Sequence, residues 1–400
     1  MLVAGVWYFP LLLAALGVYW NLPSGPRVRL SFLLATSCAV LTYLLWRQLS
    51  NGLVLSMLAV FAFISVVTYL IARHLQRQRS RGWLWVAVTQ PFLAYVPLQC
   101  GTFGWCERSG ALPWLVPVSV GFFALRQVHF AYECYRGSIK QHSFLEFAAY
   151  VAFFPTLIAG PIERYRAFSA QIGTKFGWDH MSLGAERLVI GAFKKFVVAD
   201  LLLRSLLPPD ELTRSGFEGV SWRVAMVASA AKFLFVYFEF SGYSDMAIGT
   251  ARLFGIRILE NFNYPLLRSN LAEFWCAWHM SLASLARDYV YFPILVSTRN
   301  TVLALLATML VIAAWHGISA GWLLWGLHHG IGLAVLAGLQ RRMGAWEWLA
   351  PLRSTLFWRI GSTMATLQFV VIGYALTWHP EDVMLSLKIY AKLWTLGVLT

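Results

Sequence analysis

Two Trp-His pairs lie inside long apolar stretches: Trp278-His279 in EFWCAWHMSLASLARDYVYFPI, and Trp315-His316 in VLALLATMLVIAAWHGISAGWLLWGLHHG. An imidazole at membrane depth is costly unless it faces a cavity or a partner, so each marks a candidate site. Two of them beside indoles point to proton chemistry or to metal binding within a bilayer. A zinc site takes three or four ligands, and no third histidine, cysteine cluster or HExxH motif accompanies the pair, so no metal is expected. A serine nucleophile would want an elbow such as GxSxG, which the chain lacks. General base catalysis fits better, because a neutral histidine takes the proton of a hydroxyl as that hydroxyl attacks a carbonyl. Histidines hydrogen-bonded inside a helical bundle for structural reasons are the competing explanation.

These residues need elements to place them. Residues 301–336 are apolar apart from small polar groups and histidines, and as one helix they would run about 54 Å, too long for one crossing. A break is expected between His316-Gly317 and Gly321, leaving His316 at the end of a buried helix beside irregular backbone. His328 and His329 then read as packing or interfacial groups. Upstream, Asn270 is placed to cap a helix and Glu273 to reach back to it. That helix would carry Trp275 and His279 on one face. Arg287 and Asp288 follow about two turns later, to orient an imidazole or to pair with each other. In YFEFSGYSDMAIG, Glu239 and Asp245 either pair with cations elsewhere or line an aqueous path, while Gly242 and Gly249 allow close helix approach.

Composition bounds the class. Of 400 residues, 59% are hydrophobic and only 12% charged, against about a quarter charged in soluble domains. The mean hydropathy is +0.62. The chain therefore reads as an all-α polytopic membrane protein, with apolar runs far longer than the strands of a barrel. Candidate spans lie near 2–20, 28–46, 52–72, 83–99, 113–131, 143–160, 185–207, 222–254, 271–296, 301–316, 319–338, 356–378 and 383–399, of which ten to twelve are taken to cross. Pro155, Gly160 and Pro161 make 143–160 a broken or re-entrant segment. Lys194, Lys195 and Asp200 make 185–207 amphipathic or aimed at a polar interior. No linker or internal repeat divides residues 1–400, so a single membrane-embedded domain is expected.

The net charge of +14 falls largely between the apolar runs, where it sets topology and meets anionic headgroups, not nucleic acid. The basic loop 73–81, RHLQRQRSR, is expected in the cytoplasm together with Arg27, Arg29, Arg136 and Lys140. This puts the amino terminus outside the cell membrane, as a retained span without signal-peptide features. The 100–112 loop then faces outward, where Cys100 and Cys106 form a disulfide or stay as free thiols.

The ordered set FFPTLIAGPIERYRAF, FSGYSDMAIG, ENFNYPLL, EFWCAWHMSL, RDYVYFPI and WHG followed by LLWGLHHG resembles the membrane-bound O-acyltransferase family. The likeness is to its bacterial branch of alginate O-acetyltransferases and teichoic-acid D-alanyl transfer proteins, and the motifs span about 145–335. The resemblance implies about 11 transmembrane helices plus re-entrant segments around a central funnel or tunnel. It implies His316 as general base for an acceptor hydroxyl, with His279 positioning or polarising the acyl group. Trp275, Trp278 and Trp315 belong to the motifs that would bind substrate, and Arg287, Asp288, Tyr289, Asn261 and Asn263 would support the cavity. No cofactor is implied. The donor would be a cytoplasmic thioester, acetyl-coenzyme A or a phosphopantetheine acyl carrier protein, and the acceptor a hydroxyl of an envelope polysaccharide, teichoic acid or lipopolysaccharide in the cytoplasmic (inner) membrane. An extracytoplasmic transferase or accessory protein would be a partner.

Two departures matter. Cys276 and Ala277 stand where the family has two arginines, which moves any phosphate contact to Arg287 or Arg268, and the alginate-type GGNR loop is missing. The branch therefore stays open. A transporter or flippase with a histidine proton relay, or an export scaffold, are the readings from other classes.

Overall fold

The structure, a computed structural model, describes residues 8–48, 51–93, 115–157, 159–207, 220–344, 350–379 and 382–395. Every regular element among the described residues is a helix. Five are long and apolar enough to cross a bilayer: Pro26–Trp46, Val54–Arg77, Trp222–Leu253, Ala320–Arg342 and Leu356–Thr377. Tyr8–Asn21, Phe144–Thr156 and Thr301–His316 are apolar but shorter. Helices are what such runs must form, since lipid offers no partner to a backbone N–H or C=O. The molecule is a multi-pass membrane protein. Cys100 and Cys106 lie outside the described residues.

Contacts divide the chain into two compact units, Met1–Gly191 with Tyr243–Leu259, and Ala192–Gly242 with Glu260–Thr400. The Trp222–Leu253 helix contributes to both.

In the first unit the expected break near Pro155 is present. The Phe144–Val151 helix stops and a short 3-10 turn, Phe154–Thr156, follows. The carbonyls freed there are met by Arg126, which is 1% exposed. Its guanidinium donates to Val151 O at 2.8 Å, to Thr156 Oγ1 at 2.6 Å and to Thr156 O. Next along the chain, the Tyr150 hydroxyl donates to Glu163 O at 2.8 Å. The Glu163 carboxylate accepts the amides of Arg164 and Leu259, at 2.7 and 2.6 Å. Gln171 does the same for Arg257, bonding its N–H at 2.7 Å and its C=O at 2.8 Å. Side chains thus replace the helix ladder wherever the chain leaves it, avoiding about 1–3 kcal/mol for each buried group left unmet.

Asp245 is ion-paired, with Arg187 at 2.8 Å. In the second unit, Lys195 on the π-helical Phe193–Leu203 segment bonds Asp200 at 2.9 Å and Glu239 at 2.8 Å. Both carboxylates singled out in YFEFSGYSDMAIG thus have cationic partners.

Glycines set the closest helix approaches. A Cβ on Gly249 would lie 2.7 Å from Gly184 O and Leu188 N. One on Gly326 would lie 2.7 Å from the Ala313 side chain and 2.9 Å from Met309 O, so the Thr301–His316 and Ala320–Gly344 helices pack backbone to backbone there. Gly249→Val is expected to force the first pair of helices apart at a cost of about 1–3 kcal/mol. The thermal midpoint of the detergent-solubilised protein should fall accordingly; an unchanged midpoint would mean the contact can relax freely.

Candidate active site

His279 and His316 are brought together from two different kinds of helix end. Asn300 caps the Thr301–His316 helix, accepting the Leu303 amide at 3.0 Å. The helix ends on His316, and Gly317 continues in extended backbone with φ 175°. The expected break is therefore where the length argument puts it. Gly317 is needed for space rather than for its φ: a Cβ there would lie 2.6 Å from Trp322 Cδ1. Without that Cβ the Trp322 indole stacks on the His316 ring, centroids 4.8 Å apart and 12° from parallel. Trp315 and Trp325 meet the same imidazole edge to face, at 4.8 and 5.8 Å.

His279 arrives by a strained elbow. Asn270 caps the Leu271–Ala277 helix as expected, accepting the Glu273 amide at 2.9 Å. Glu273 reaches back to Ser269 N and Oγ, at 3.3 and 3.0 Å, one residue before the expected partner. The expected continuous helix through Trp275 and His279 is not formed. It stops at Ala277, Trp278 is extended, and His279 has φ 44° and ψ 49° before the next helix, Met280–Ala286.

A left-handed residue other than glycine costs about 1–2 kcal/mol, and Asn261 supplies what offsets it. The Ser281 hydroxyl donates to Asn261 Oδ1 at 2.6 Å, and the Met280 amide donates to Asn261 O at 2.9 Å. One turn away the Asn263 amide donates to Ala277 O at 3.0 Å. The ENFN segment thus runs alongside the elbow and takes the backbone bonds that a continuous helix would have kept.

The two imidazole centroids lie 6.4 Å apart, with rings inclined by 42°. A direct N–H···N bond needs nitrogens within about 3.2 Å, so the rings do not bond each other, yet one carbonyl or hydroxyl can reach both. Their surroundings differ. His279 is 2% exposed, against Phe240 at 4.7 Å and Trp315 at 5.8 Å. His316 is only partly buried. One imidazole is sealed by aromatic rings, while the other can be approached.

The other expected residues separate into groups. Trp315 stands between the two histidines. Trp278 instead lies between Phe233 and Phe274, nearly parallel to both at 5.3 and 5.4 Å, and reads as packing for the elbow. Trp275 contacts Trp325 at 5.8 Å, one ring removed from His316. Arg287 and Asp288 pair with each other at 3.0 Å on the π-helical Arg287–Tyr291 segment, which also holds Tyr289. Arg287 is exposed, and so is Asn263, whose contribution is its backbone. Arg268 donates to Asn263 O at 2.6 Å. His328 is held by Tyr390 Oη and Phe369 O, both at 3.1 Å.

Sequence reasoning missed three ring partners, Phe240, Trp322 and Trp325. The two tryptophans were signalled by their spacing after WHG, one helical turn apart, and Phe240 by its place at the head of FSGYSDMAIG. Among the described residues no group of three or more His, Cys, Asp or Glu side chains converges as metal ligands would.

Comparison with known proteins shows the family of the chain. The sequence profile of the membrane-bound O-acyltransferase family matches residues 34–374. A probable alginate O-acetylase of Pseudomonas aeruginosa is 30% identical, over 98% of this chain and 75% of that protein. A peptidoglycan O-acetyltransferase of Helicobacter pylori is 31% identical over 58% of this chain and 49% of its own length. A teichoic acid D-alanyltransferase of Streptococcus thermophilus is 29% identical over 65% of this chain and 66% of its own.

Gly317→Ala is expected to push the Trp322 indole off His316, lowering stability by about 1–3 kcal/mol and changing the near-ultraviolet circular dichroism of the stacked indole. An unaltered spectrum and unfolding midpoint would show that the indole has room to move.

Proposed function

Because this chain belongs to the membrane-bound O-acyltransferase family and is an O-acyltransferase, we propose that it carries a small acyl group, acetyl or D-alanyl, to a hydroxyl of a cell-envelope polymer. The acceptor is a polysaccharide, a teichoic acid or a lipopolysaccharide. The donor is a cytoplasmic thioester, on coenzyme A or on the phosphopantetheine of a carrier protein. The enzyme sits in the cytoplasmic membrane with its amino terminus outside, its spans enclosing a funnel or tunnel. An extracytoplasmic transferase or accessory protein receives or directs the product.

The observation that carries this reading is the unequal pair of imidazoles. His316 is the accessible one and is the general base. As the acceptor oxygen attacks the thioester carbonyl, its proton passes to His316, and the carbon–sulfur bond then breaks as the tetrahedral intermediate collapses. The proton leaves with the thiol. The last carbonyls of the Thr301–His316 helix favour the positive charge that the base acquires. His279, fixed by the Asn261 elbow, polarises or positions the acyl carbonyl from the other side. Trp315 borders the acyl group, Trp275 meets a more distant part of the substrate, and Trp278 and Asn261 lie behind the elbow. Arg287, Asp288, Tyr289 and Asn263 support the cavity wall, and Arg287 or Arg268 meets the phosphates of the donor.

Loss of a positioned general base costs about 10²–10⁴-fold in rate. His316→Ala, shown to be folded and inserted, is expected to lose envelope acylation on that scale, and His279→Ala to lose less. The readout is ester-linked acyl released from the envelope by mild base. Unchanged acylation in His316→Ala would remove it from the mechanism.

A further inference from the structure

The Ala320–Gly344 helix presents one face on which Trp322, Trp325, His329 and Gly332 recur at three- and four-residue spacing. His316 rests on the first two. Trp325 in turn meets His329 at 4.8 Å and Trp275 at 5.8 Å, and Trp275 meets His329 edge to face, centroids 5.3 Å apart and rings at 89°. The three rings form a closed aromatic corner, with Trp275 9% and His329 1% exposed.

These side chains carry two polar atoms of note, Trp275 Nε1 and His329 Nδ1. Both are buried, and neither has a hydrogen-bond partner among the described residues. The neighbouring His328 shows the contrast, since both its nitrogens are engaged. Packing alone does not explain the pair. Phenylalanine at 275 and leucine at 329 would fill similar space without burying unmatched donors and acceptors, which cost about 1–3 kcal/mol each.

The two atoms are also complementary in kind. An indole N–H only donates. His329 Nε2 lies toward the backbone of Gly373, 3.3 Å from where a Cβ would stand, and with the proton on that nitrogen Nδ1 accepts. We infer that Trp275 and His329 form a second polar station of the active site, taking a hydroxyl or secondary amide of a substrate. His329 stands two helical turns, about 10 Å, along the helix from Trp322, on which the His316 imidazole stacks. A group bound there is remote from the reacting carbonyl and serves to align the molecule that carries it.

The inference rests on the reading of His316 as the base. Two substrates carry the required chemistry: a pantetheine arm has secondary amides, and a glycan acceptor has hydroxyls. The test uses the full chain in lipid nanodiscs, with acetyl-coenzyme A and an alginate oligosaccharide varied separately. Trp275→Phe and His329→Leu should each raise one KM about five- to tenfold, with the larger part of the loss in KM rather than kcat. His329→Asn, which keeps an acceptor near the Nδ1 position, should recover most of that loss. A KM effect on acetyl-coenzyme A assigns the station to the donor amide, and one on the oligosaccharide assigns it to the acceptor hydroxyl. Unchanged KM values for both substrates would overturn the inference. So would a loss confined to kcat, with His329→Asn no better than His329→Leu. If His329→Leu fails to fold, Trp275→Phe and His329→Asn still decide. His316→Ala, run in parallel, tests the base separately: its retained activity would end that assignment while leaving the KM results to judge the station.

Discussion

A backbone that leaves its helix inside an apolar bundle must find new partners for every N–H and C=O it exposes. Water is scarce there and lipid offers nothing. The protein meets this constraint with a small set of polar side chains standing in for backbone. Arg126 takes the carbonyls around Thr156, and Glu163 takes the amides of Arg164 and Leu259. Asn261 does the same for the elbow at His279. Without the last, the chain through Trp278 would be a continuous helix with its imidazole aimed elsewhere.

The site draws its asymmetry from this device. One histidine is the last residue of an apolar helix, partly exposed, with the Trp322 indole stacked on its ring where a glycine leaves room for it. The other is held at a left-handed turn and sealed under Phe240 and Trp315. A mobile reactant has the more open approach to the first. That difference in access, more than the presence of two imidazoles, underlies the distinct roles proposed for them.

Much of this was legible in the sequence, and for identifiable reasons. An apolar run too long for one crossing required a break, and the Gly317 position supplied it. Pro155 and the Asn270 cap announced their own discontinuities, because proline and a side-chain cap act within a turn of where they stand. The elbow was not legible. Residues 271–286 keep helical periodicity throughout, and what interrupts them is a hydrogen bond from a segment twenty residues away. The neighbours of Trp278, Phe233 and Phe274, follow from the same interruption, since the backbone is extended where a helix was expected. Phe240 opens the FSGYSDMAIG motif, but nothing in the sequence says that this one of four neighbouring aromatic residues packs on His279.

The Asn261 elbow also has a consequence for biosynthesis. Its bonds join residues 261, 280 and 281, all of which precede the Thr301–His316 helix in the chain. As the polypeptide emerges from the ribosome, the His279 half of the site can be set before the residues that carry the base have been made. The later helix hairpin then closes onto a preformed aromatic floor. The helix end that brings His316 is then made against an elbow whose own partners are already in the chain.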